Sequence, residues 1–168
     1  MQKLLSRLNF RYALALLFTF GCAFSISIFA KTAENAVGIT EAWVRPTNPG
    51  QEVGAAYMSF LSTKDTTLMR VESDVTKSVE IHNMTMENGV MKMRMLSKLP
   101  LVAGKPYKLA PGGFHLMLFD LKKPLVLGES VIFTFNFKNK NKTEFKQSIK
   151  VMVQSSAEIS STKELQNH

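Results

Sequence analysis

The stretch "HNMTMENGVMKMRM", residues 82–95, carries one histidine and five methionines. Asn88-Gly89 at its centre is a strong hairpin signal, because a type I′ turn needs positive φ at both middle residues. Pairing about that turn sets His82 opposite Met95, Met84 opposite Met93 and Met86 opposite Met91. Side chains alternate between the faces of a strand, so all six point to one side, while Asn83, Thr85, Lys92 and Arg94 point to the other. A second segment, "PGGFHLML", places His115 and Met117 two residues apart and therefore on one face of their own strand. Imidazole and thioether together are a soft donor set.

A methionine stripe at period two is ordinarily the buried face of a strand, and a lone histidine on an apolar face is ordinarily a hydrogen-bonded core residue. Two histidines, each within two residues of a methionine, favour a metal. Neutral thioether is a poor ligand for zinc, calcium or magnesium, whereas sulfur with imidazole suits Cu(I). Glu80 shares the His82 face and is expected as a neighbour, not as a ligand. A blue-copper centre needs a cysteine thiolate, and the only cysteine, Cys22, lies in the N-terminal segment.

That segment has a basic start, Lys3, Arg7 and Arg11, followed by an uncharged run ending in small residues. It reads as a secretory signal over residues 1–30, cleaved after Ala30; cleavage after Ser27 or Ala36, or an uncleaved anchor, are the alternatives. The residues before Cys22, "TFG", lack the leucine usual three positions upstream of a lipidated cysteine. Without Cys22 the exported chain has no thiol, so its core must hold it together without disulfides. Net charge, +8 for the whole chain, falls to +5 once the three leader cations are removed. A charge this small, with "KNKNK" as the only dense basic run, excludes a nucleic-acid partner. Membrane contact is expected only if the leader stays attached.

The elements that must position the site are short. Nine apolar-rich runs, from "ITEAWVR" to "FKQSIKVMVQ", alternate or are rich in β-branched and aromatic residues, and Gly, Pro, Asn and Asp clusters separate them. "PLVAGKP" is read as one of those turns. No helical period is sustained. The pattern predicts an all-β domain over 37–153, a sandwich or Greek-key barrel, followed by a polar tail at 154–168. Phe133, Phe135 and Phe137 alternate and form a core face; Trp43 is a core or rim anchor.

Counting from His82, ten residues precede Met93, twenty-one more precede His115, and one separates His115 from Met117. This His-x10-Met-x21-His-x-Met spacing resembles the signature of the periplasmic copper chaperones called PCuAC. "EAWVRPTNPGQEVGAAYMSF" and "LAPGGFHLMLFDLKKPLVLGESV" resemble that family too, over roughly residues 37–153. The resemblance implies a cupredoxin-like Greek-key fold. It also implies Cu(I) ligation by His82, Met93, His115 and Met117, and delivery to the CuA domain of cytochrome c oxidase subunit II or a Sco-type protein. It implies a periplasmic carrier without enzymatic turnover. A Met-rich interaction module without metal transfer is the competing reading.

Overall fold

The computed structural model describes residues 37–156. The leader at 1–30 and most of the predicted tail lie outside the described residues. Ten strands follow in order: β1 (Gly38–Val44), β2 (Gly54–Leu61), β3 (Thr66–Ser73), β4 (Ser78–Glu87), β5 (Val90–Leu96), β6 (Leu99–Leu101), β7 (Tyr107–Leu109), β8 (Phe114–Phe119), β9 (Ser130–Asn139) and β10 (Glu144–Val153). Nine occupy the apolar runs of the sequence. The tenth, β6, runs into the start of "PLVAGKP": Leu99 and Leu101 are buried while Pro100 faces outward, so three residues suffice to pair with the start of β3 before the chain turns.

Seven strands close a ring in the order β3-β4-β8-β2-β1-β10-β9 and back to β3. The ring closes at one pair, Val71 with Val79. All neighbours are antiparallel except β1 and β10, whose parallel pairing sets Trp43 beside Met152. β5, β6 and β7 attach to β4, β3 and β2 and stay off the ring. This is an all-β barrel, as the alternation predicts, and it is cupredoxin-like, as the resemblance implies.

Burial follows the two-residue period. Phe133, Phe135 and Phe137 point inward from β9, each at most 1% exposed, and Phe60 meets Phe135 edge to face at 5.5 Å. Each such ring contributes about 1.5–3 kcal/mol by leaving water. Trp43 is buried against Tyr57, ring centroids 4.5 Å apart, with the Arg45 guanidinium 5.4 Å from the Tyr57 ring centre. For the site, the decisive inward residues are Ile81 on β4 and Leu116 and Leu118 on β8, all in the core. Their neighbours His82, His115 and Met117 must then lie on the outer face of the wall.

Candidate metal centre

Both central residues of the β4–β5 turn have positive φ, 53° at Asn88 and 78° at Gly89. The observed register is His82 with Met95, Met84 with Met93 and Met86 with Met91, as that turn requires. The back of the hairpin is polar: Glu87 accepts from Lys92 at 2.8 Å and from Arg94 at 3.2 Å. On its other edge β4 pairs with β8, which sets His82 directly opposite His115 and Glu80 opposite Met117. Met93, His82, His115 and Met117 therefore share one face across three adjacent strands.

The two imidazoles lie with ring centroids 5.9 Å apart, tilted by 32°. Phe119 flanks the His82 ring at 6.1 Å. Each histidine is oriented by an oxygen that can only accept. Nε2–H of His82 donates to the Glu80 carboxylate at 2.8 Å, which in the neutral ring leaves the lone pair on Nδ1. That Nδ1 is buried and has no hydrogen-bond partner. Nδ1–H of His115 donates to the Gly113 carbonyl at 2.9 Å, leaving Nε2 as its lone-pair nitrogen. The Pro111-Gly112-Gly113 turn thus fixes the ring two residues on; Gly112 has φ 83°, which a side chain would resist.

An unpartnered buried nitrogen costs about 1–3 kcal/mol, and in a native fold it calls for an explanation. Of the three unpartnered buried polar atoms found among the described residues, only Nδ1 of His82 belongs to a side chain on the methionine face. A soft metal ion fits it. Among the described residues no three His, Cys, Asp or Glu side chains gather closely enough to hold a metal. Exposure grades across the face: His115 is buried, His82 and Met117 are partly covered, and Met93 is half exposed. The sequence places Glu80 beside His82 correctly but gives no sign of Phe119 there.

The fold is cupredoxin-like and similar to that of solved PCuAC domains. The chain belongs to the LpqE-like family, whose model, described as "Putative lipoprotein LpqE-like", matches residues 37–151. The protein Lxx21020 of Leifsonia xyli subsp. xyli is 28% identical over 121 residues, 70% of this chain and 73% of that one. Among solved structures, the apo PmoF2 PCuAC domain is 25% identical with a TM-score of 0.56, covering 72% of this chain and 94% of that chain. The solution structure of CuI-DR1885 from Deinococcus radiodurans is 25% identical with a TM-score of 0.54, covering 74% and 83%. These likenesses bear out the cupredoxin-like fold, and the second of the solved structures is a Cu(I) form.

Proposed function

We propose that this chain is a periplasmic copper chaperone that holds one Cu(I) ion through His82, Met93, His115 and Met117. It would pass the ion to an acceptor of the kind found in the CuA domain of cytochrome c oxidase or a Sco-type protein. The observation that carries this reading is the bare, buried Nδ1 of His82 beside His115, on a face that also carries six thioethers. Imidazole and thioether stabilise Cu(I), and four uncharged ligands release the ion without having to take up protons at sulfur. The ion is cargo: no substrate bond is made or broken.

Export rests on the basic and apolar N-terminal segment. The family description contains the word lipoprotein, and Cys22 is the only residue here that could carry a lipid on sulfur. Mass spectrometry of the mature protein distinguishes a cleaved soluble form from a lipidated one.

The test is anaerobic Cu(I) titration of the purified chain with X-ray absorption at the copper edge. One tightly bound ion with both nitrogen and sulfur scattering is expected, lost on combined His82→Ala and His115→Ala replacement. Unchanged affinity in that double variant sinks the assignment and returns the face to an apolar interaction surface.

A further inference from the structure

Six of the ten methionines lie on this one face, and the proposed chaperone site uses only two of them. Met86, Met91 and Met95 are 62%, 50% and 59% exposed, so filling a core does not explain them. The hairpin also runs past the barrel. Pairing between β4 and β8 ends at Asn83, and beyond it Met86 and Met91 have strand neighbours only in each other's strand.

Backbone geometry brings these sulfurs together. The Met84 amide donates to the Gly113 carbonyl at 3.2 Å, away from β5. Met84 and Met93 therefore form a non-hydrogen-bonded pair, the kind whose side chains approach more closely. By the two-residue period, Met86 and Met91 form another. Met84 is the diagonal neighbour of Met91, within reach of long side chains. The rung of Met86 and Met91 stands about 7 Å from that of Met84 and Met93, too far along the strand for one ion to use every sulfur.

We propose that Met84, Met86 and Met91 form a second soft-metal site at the hairpin tip, which binds Cu(I) or Ag(I) through thioether alone. No carboxylate or imidazole is needed: Glu87, the nearest acid in the turn, projects from the opposite face and is engaged by Lys92 and Arg94. Such a site selects monovalent soft ions over zinc or calcium. Being open and lacking imidazole, it binds more weakly than the histidine site and stands independently of it.

The test is titration of the full chain, labelled at the methionine methyl groups, with Ag(I) as a redox-inert probe. Two ions are expected. The weaker should shift the methyl signals of Met84, Met86 and Met91, and should weaken about 10–100-fold in the Met86→Leu, Met91→Leu double variant. It should persist when His82 and His115 are both alanine, so failure of the chaperone site and failure of this one read out separately. Leucine keeps the apolar volume at exposed positions, and an unchanged amide spectrum checks the fold. Saturation at a single ion, or a second ion indifferent to the leucine pair, overturns the proposal.

Discussion

Glu80 Oε2 lies 2.8 Å from Nε2 of His82, while Nδ1 of the same ring is buried without a partner. The carboxylate holds one nitrogen so that the other is presented bare. Glu80→Ala should therefore let the ring sample both tautomers and weaken Cu(I) binding about 10–100-fold. Glu80→Gln, whose amide oxygen can still accept from Nε2–H, should lose less. Nitrogen shifts of the His82 ring in the metal-free protein check the tautomer directly; a ring unmoved in the alanine variant would separate Glu80 from the site.

Met93 and His82 should differ in how replaceable they are. Met93 is half exposed and flanked by Met84 and Met95, so either sulfur can stand in for it. His82 has no second imidazole to replace it except its partner across the strand. Met93→Leu is expected to weaken Cu(I) by about tenfold or less, and His82→Ala by about a hundredfold or more. Competition against a chromogenic Cu(I) chelator measures both; a reversed order would make Met93 the indispensable ligand.

Surplus sulfur should matter for release more than for capture. An ion leaving the histidines can exchange ligands stepwise along the hairpin, from Met84 and Met95 near the histidines to Met86 and Met91 toward the tip. Replacing all four with leucine should leave the histidine-bound ion in place but slow its passage to a metal-free CuA domain. Stopped-flow transfer decides the point. Equal rates for variant and parent would confine these residues to static binding or packing.

The barrel also carries a stability signal at high pH. Burial raises the ionisation of the Tyr57 phenol above its usual range, and the nearby Arg45 charge only partly offsets this. The folded state holds that proton more tightly than the unfolded chain does. Its contribution is thus fully present below about pH 10 and lost as pH rises through the folded value. Urea midpoints should fall in this alkaline range, and Tyr57→Phe should remove that part of the fall.

The hairpin was legible because its register is local. Asn88-Gly89 fixes the turn, and the period of two does the rest, so every methionine pair follows from "HNMTMENGVMKMRM". The meeting of His82 with His115 was not legible in the same way, since a loop, two further strands and no fixed turn separate β5 from β8. β6 was hidden because "LPL" is short and has proline in the middle, which reads as a turn until Leu99 and Leu101 are seen to be buried. Phe119 beside His82, like the unequal exposure of His115 and Met93, depends on what lies over each strand.

β5 hangs on β4 alone, whereas β4 and β8 belong to the closed ring. Detaching β5 would leave the seven-stranded ring whole, so Met93 and Met95 ride on a flap while His82, His115 and Met117 stay fixed to the wall. An ion bound to both parts is then a clasp between them. Its binding energy opposes the local opening of one hairpin more than unfolding of the ring. Amide exchange along β5 should slow when copper binds and recover when it leaves.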